Sequence, residues 1–366
     1  MESEKAVARS TPFSTIRLSD TQSRRFCVKV LDEHQLDDLL SAPTPFVIET
    51  LGRVKGDLIV LGVAGKMGAS LARMARCASE AAGEPRRVIG VSRFSAGGEE
   101  AFRAQGIETI RCDLLDEAAL ARLPDAPLVV SMIGTKFGTT GNESTTWAMN
   151  CFLPGLICRK YQNSKIVAFS TGNVYGLMPI PSGGSRETDP LRPVGEYAAS
   201  AVGRERVYDY FSRTLGIPTA ILRLNYACDL RYGVLVDLAL RVRAGLPIDL
   251  SMGYFNTIWQ GDANAMALRA FNHVASPPFV VNMTGPETLS VRDVCVRFGE
   301  LFGKDVRFDG EESASALLSN AEVGLARLGR PKVGATELIE RVADWIANGG
   351  RTLDKPTHFE SRDGKF

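Results

Sequence analysis

The stretch Asp57-Leu58-Ile59-Val60-Leu61-Gly62-Val63-Ala64-Gly65-Lys66-Met67-Gly68-Ala69-Ser70-Leu71-Ala72-Arg73-Met74-Ala75-Arg76 decides the fold of this chain. Its apolar opening predicts a buried strand over 57–61, and the residues from Ala69 onward predict a helix. Between them stand Gly62, Gly65 and Gly68, spaced GxxGxxG. Gly62 permits a tight turn, and Gly65 lets the backbone approach a diphosphate. Gly68 lets the helix pack close to the strand with its N-terminus facing the phosphates. Strand, glycine turn and helix in this order are the context that a dinucleotide site needs. Lys66 and Met67 belong to the same turn.

Outward from this turn, apolar runs alternate with amphipathic stretches. Strands are expected at 57–61, 87–91, 108–111, 127–132, 165–170, 219–224 and 278–283, with helices in most gaps. The runs are continuously apolar, as in Ala126-Pro127-Leu128-Val129-Val130. That pattern fits buried parallel strands. The alternation predicts an α/β fold: a doubly wound parallel sheet over residues 56–348. A smaller C-terminal substrate lobe is expected mainly from 225–262 and 284–335, where loops and breakers increase. Residues 1–55 read as an N-terminal extension. Roughly its first two dozen residues are polar and expected to be mobile. Val28-Lys29-Val30-Leu31 then suggests a short strand, and Leu36–Leu40 and Phe46–Leu51 suggest helices. The extension reads either as an arm for oligomerisation or substrate covering, or as an extra docked layer. The polar tail, 349–366, is expected to fray.

Bulk composition narrows the function. The formal net charge is +1 over 366 residues, so nothing attracts nucleic acid or an anionic membrane. No apolar run approaches the roughly 20 residues of a membrane span. The start, Met1-Glu2-Ser3-Glu4-Lys5, lacks a secretory pattern. Seven cysteines are scattered through apolar segments and read as reduced residues of a cytoplasmic protein. The three histidines, His34, His273 and His358, form no HxH or HxxxH pair, so no metal site is expected.

Residues that carry chemistry sit at the ends of the expected strands. The second strand ends in Ser92-Arg93, without the acid that binds the ribose hydroxyls of NAD. Arg93 and Lys66 are suited to a 2′-phosphate, which favours NADP with NAD possible; otherwise both are solvated surface cations. Asp113 and Leu114 follow the third strand, where an aspartate can accept from an adenine amino group or cap the next helix. Gly134 follows the fourth strand. The fifth ends Ser170-Thr171-Gly172-Asn173-Val174-Tyr175-Gly176, and Pro193-Val194-Gly195-Glu196-Tyr197-Ala198-Ala199-Ser200-Ala201 heads a long helix.

On these residues the chain resembles an extended short-chain dehydrogenase/reductase of the NAD(P)-dependent sugar epimerase/dehydratase family. The matching positions are Gly62, Gly65, Gly68, Asp113, Ser170-Thr171, Val174-Tyr175-Gly176, Pro193, Tyr197 and Ser200. Arg223, Asn225, Trp259-Gln260-Gly261-Asp262-Ala263 and Val281-Asn282-Met283-Thr284-Gly285 also fit. The resemblance covers residues 57–348 and implies a Rossmann-like fold. It implies that Thr171 and Tyr197 handle a substrate oxygen while hydride moves to or from a nicotinamide. It also implies a carbohydrate substrate, such as a sugar, sugar acid or sugar nucleotide, with contacts at Asn173, Asn225, Arg231 and Trp259. Related proteins form homodimers through a four-helix bundle, here 145–161 and 197–213 of each subunit.

One position departs from the family. Its lysine, four residues after the tyrosine, is Ala201 in this chain. A cation from elsewhere can replace it, with Lys136 in the loop after the fourth strand as the candidate. Alternatively, the nicotinamide's own charge and another base suffice. The third reading is a non-catalytic NADP-binding sensor or regulatory protein.

Overall fold

The structure, a computed structural model, describes residues 29–365. The opening stretch expected to be mobile, and Val28 of the expected short strand, lie outside these residues. The described part of that segment, 29–31, forms no strand.

Seven parallel strands build the central sheet: β1 (Leu58–Leu61), β2 (Val88–Ser92), β3 (Glu108–Arg111), β4 (Leu128–Ser131), β5 (Lys165–Thr171), β6 (Thr219–Leu224) and β7 (Phe279–Met283). Their spatial order is β7-β6-β5-β4-β1-β2-β3. The order reverses between β1 and β4, which register Leu58 with Leu128 and Leu61 with Ser131. At such a switch point the flanking connections diverge and leave a crevice beyond the carboxyl ends of the strands. β1 and β4 are buried along their whole length, which explains their unbroken apolar sequence.

Helices cover both faces. The first in the chain are α1 (Glu33–Ser41) and α2 (Pro45–Arg53). Asp32 caps α1, and Thr44 with Pro45 starts α2. A Ser/Thr/Asp cap accepts an orphan N–H, and proline at the first turn loses no hydrogen bond. After β1 comes α3 (Gly68–Ala81), then α4 (Glu99–Ala104) and α5 (Glu117–Ala121). Between β4 and β5, α6 (Glu143–Trp147) passes through a π-turn (Ala148–Phe152) into α7 (Leu153–Lys160). Then follows α8 (Gly195–Leu215), stopped by Gly216 at φ +69°. The described helices of the extension form a docked layer: α1 and α2 lie against α3 and α10 (Gln260–Arg269). Arg73 of α3 pairs with Asp38, and Asn272 donates to the Thr50 hydroxyl.

A separate apolar core forms beyond the sheet. It joins α9 (Val234–Arg243), α11 (Val291–Phe302) and α13 (Ala335–Ala347), with Leu36 and Leu40 of α1 and Phe359 of the tail. It therefore extends past residue 335, where the sequence placed the end of the lobe. The tail also departs from expectation. The Thr357 N–H and hydroxyl donate to the Asp237 carboxylate at 2.8 and 2.6 Å, and Arg362 donates to the Ser251 and Ser315 carbonyls. Gly364 packs on the Val194–Gly195 backbone, ahead of the Tyr197 helix. These anchors lay the tail across the molecule as a strap. Among the described residues no helix is long and apolar enough to cross a membrane.

Candidate active site

The glycine turn leaves β1 through Gly62, at φ +85°, a conformation that disfavours side chains. A Cβ on Gly68 would stand 2.2 Å from the Val63 carbonyl oxygen, so the α3–β1 contact needs glycine there. Gly65 differs. It is exposed, and a Cβ would meet only the Gly62 oxygen, at 3.3 Å. No side chain caps α3; the Gly68 N–H donates to the Gly65 carbonyl at 3.2 Å, and the N–H groups of the next residues of the first turn are those offered to an anion. Uncapped helix, positive-φ turn and open glycine fit the diphosphate of a dinucleotide.

Before this turn lies a crevice of about 320 Å³. Gly62, Gly65, Lys66 and Met67 form one wall, and Gly134 and Lys136 line it from the loop after β4. Thr171 and Asn173 line it from the end of β5, Tyr197 from α8 and Asn225 from the loop after β6. These expected site residues therefore meet in one place, brought there by the switch point. The Thr171 hydroxyl accepts from the Asn173 N–H at 3.2 Å and its side-chain amide at 3.0 Å, which leaves its own hydrogen to donate. Ser170, one residue earlier, donates to Glu205 at 2.6 Å, and Glu205 is paired with Arg223. Arg223 also donates to the Tyr175 hydroxyl. This buried network ties β5 to α8 and thus Thr171 to Tyr197; Tyr175 belongs to it as a packing residue.

Two lysines face the crevice. The Lys66 ammonium lies 3.2 Å from the Tyr232 ring centroid. Burial, with repulsion from Lys136 and Lys355, pushes its pKa down to about 8. The Lys136 ammonium donates to the Thr357 carbonyl at 3.2 Å, and burial pushes its pKa to about 8 as well, against the pull of Glu360 and Asp237. The strap thus closes one side of the crevice.

Other expected residues lie elsewhere. Ser92, Arg93, Asp113 and Leu114 stand at the ends of β2 and β3 and do not line the crevice. The Asp113 carboxylate accepts from the Leu115 N–H, a local cap. The Lys66 ammonium lies over the Tyr232 ring, in the crevice that Arg93 does not line. Arg231 pairs with Asp229, Asp37 and Glu33, which use up its charge, and it borders a different cavity of about 410 Å³ beside α9. Trp259 is buried in the lobe core, with Arg341 over its ring. Ala201 packs against Val174 and Tyr175 in the interior. Tyr226, a possible substrate contact by its place after the sixth strand, also lines the crevice, as do Arg204 and Tyr232, which the sequence reading missed.

The model of the NAD dependent epimerase/dehydratase family matches residues 58–228. No curated protein matches the chain by sequence. Among solved structures, UDP-glucose 4-epimerase of Thermus thermophilus complexed with NAD is 22% identical, with a TM-score of 0.64 over 80% of this chain and 99% of that one. UDP-glucuronic acid 4-epimerase of Bacillus cereus, complexed with UDP-glucuronic acid and NAD, is 17% identical, with a TM-score of 0.64 over 80% and 99%. The dTDP-glucose 4,6-dehydratase of Bacillus anthracis with NAD is 16% identical, with a TM-score of 0.65 over 80% and 96%. At these identities the likeness establishes a shared fold alone, the doubly wound, Rossmann-like sheet. The matched residues, 58–228, carry the glycine turn, Thr171 and Tyr197.

Proposed function

We propose that this chain is an NAD(P)-dependent oxidoreductase of the epimerase or dehydratase type, acting on a sugar nucleotide or related sugar. The observation that carries the reading is the convergence of Gly62, Gly65, Thr171 and Tyr197 on one crevice. A bound nicotinamide supplies the hydride acceptor and donor. The chain's own residues do the rest. The backbone N–H groups at the start of α3 hold the diphosphate. Thr171 donates to a substrate oxygen, and Tyr197 takes the proton from that oxygen or returns it. Asn173 and Asn225 orient the sugar, and the strap at Thr357 keeps bulk water from one side of the crevice.

The reading takes NADP as the preferred cofactor, since β2 ends in Ser92-Arg93 without an acid. Support now comes from Arg93 alone. NAD is the alternative, and the three solved structures named above carry it. A cytoplasmic setting is part of this reading; the six described cysteines are all free thiols.

Ala201 favours a second reading, a cofactor-binding sensor without turnover. One experiment separates the two. The purified protein is loaded with NADP or NAD and challenged with a panel of sugar nucleotides, following reduced-nicotinamide absorbance and sugar products. Turnover of any member supports the enzyme. Tight cofactor binding with no absorbance change and no product across the panel supports the sensor.

A further inference from the structure

Arg204 is 5% exposed, and no carboxylate pairs with it among the described residues. One guanidinium nitrogen donates to the Phe169 carbonyl at 3.1 Å, another to the Asn150 side-chain oxygen, and Nε has no partner. A buried guanidinium without a counter-charge is costly, so structures rarely keep one without use. This one is held deliberately. Asn150 sits in the π-turn and also binds the Thr135 backbone at both its N–H and its carbonyl, as well as the Ser200 hydroxyl. π-turns of this kind cluster at functional sites. Gly134 makes the room: a Cβ there would lie 2.5 Å from Nη2. The guanidinium thereby lines the crevice that holds Thr171 and Tyr197. It stands seven residues after Tyr197, two turns along the same face of α8, with a long side chain that leans back toward the helix start.

We propose that Arg204 is a positioning residue that supplies the fixed positive charge for the Tyr197 phenolate, in place of any cation at Ala201. The inference rests on the reading of Tyr197 as acid/base. The other charged or titratable groups facing Tyr197 are Lys66 from the glycine turn, Lys136 after β4, and Tyr226 and Tyr232 after β6, with Asp237 and Glu360 behind them. The two lysines lose charge in the alkaline range where a phenol titrates. A guanidinium does not lose its charge there.

The test needs no substrate. Tyrosinate absorbance is followed against pH, and the Tyr197→Phe curve is subtracted to isolate Tyr197. Burial pushes the Tyr161, Tyr208, Tyr226 and Tyr232 phenols upward, which keeps them out of the window. The same difference is measured in Arg204→Met and Arg204→Lys. The expected result is that Tyr197 titrates at measurably higher pH in Arg204→Met and returns toward the parent in Arg204→Lys. If Arg204→Met does not fold, Gly134→Ala displaces the guanidinium and shifts Tyr197 the same way. Unchanged titration of Tyr197 in a folded variant overturns the proposal. That failure differs from failure of the functional reading, which shows as full turnover in Tyr197→Phe.

Discussion

Gly65 and Gly68 are three residues apart in one turn, yet their replacement by alanine should fail in different assays. At Gly68 a Cβ would stand 2.2 Å from the Val63 oxygen and 2.7 Å from its carbonyl carbon. The α3–β1 contact must open by roughly 1 Å to accept it. Both sides are rigid, because β1 is wholly buried and α3 is packed on α1, α2 and α10. Overpacking of this kind costs about 1–3 kcal/mol, and at about 2.1 cal/mol/K of unfolding entropy per residue each kcal/mol lowers Tm by about 1.3 °C in a chain of 366 residues. Gly65→Ala meets only the Gly62 oxygen, at 3.3 Å, and Gly65 has no positive φ, so Tm should stay within about 1 °C of the parent or rise. Its methyl instead enters the space where the proposed function seats the diphosphate. Losing one backbone N–H to phosphate bond, about 1.5–3 kcal/mol, weakens dinucleotide binding about 10- to 100-fold. Thermal melts and titration calorimetry with NADP and NAD read the two effects. A Gly65→Ala protein that binds both dinucleotides as the parent does would refute the placement of the diphosphate.

Four further expectations follow from the charges and surfaces. Lys66 and Lys136 are protonated below about pH 8 and neutral above it, so dinucleotide affinity should fall as pH rises from about 7 to about 9, with proton uptake on binding near pH 8; a flat profile by calorimetry counts against their contact with the ligand. Their folded pKa values lie below the ordinary 10.5, so the stability cost of burying them is full below about pH 8 and disappears as pH climbs to about 10.5. Arg93→Ala should remove a preference for NADP over NAD worth about 1.5–3 kcal/mol, and unchanged selectivity in competition binding would reject the 2′-phosphate site. Trp147, Phe152 and Tyr210 are 40%, 52% and 61% exposed on α6, the π-turn and α8; a dimer through these helices should appear in light scattering and dissociate in Phe152→Glu, whereas a monomeric parent contradicts it.

Much of the sheet was legible because buried parallel strands carry unbroken Val, Ile and Leu runs that local composition reveals. β6 falls where expected, and β4 and β7 differ at their ends by single residues. The crevice was legible for the same reason: its residues follow strand ends that the topology gathers at one point. What escaped depends on distant partners. Arg204 reads as one more cation on a helix, and only Gly134 and Asn150, far away in sequence, bury it. Arg231 reads as free for a ligand until Asp37 of the extension arrives beside it. The tail is polar, but Phe359 and Arg362 find specific seats that its composition does not announce. Trp259 ends a short strand that places it in the lobe core rather than toward the crevice.

The central claim is that Tyr197 and Thr171 exchange a proton with a sugar oxygen in the crevice beside the glycine turn. Its most direct test is single-turnover stopped-flow absorbance of the reduced nicotinamide, using a sugar nucleotide that the protein turns over, in the parent and in Tyr197→Phe. Loss of the base should slow the absorbance change by about 100-fold or more, with substrate and cofactor binding kept. An unchanged rate in Tyr197→Phe would contradict the account.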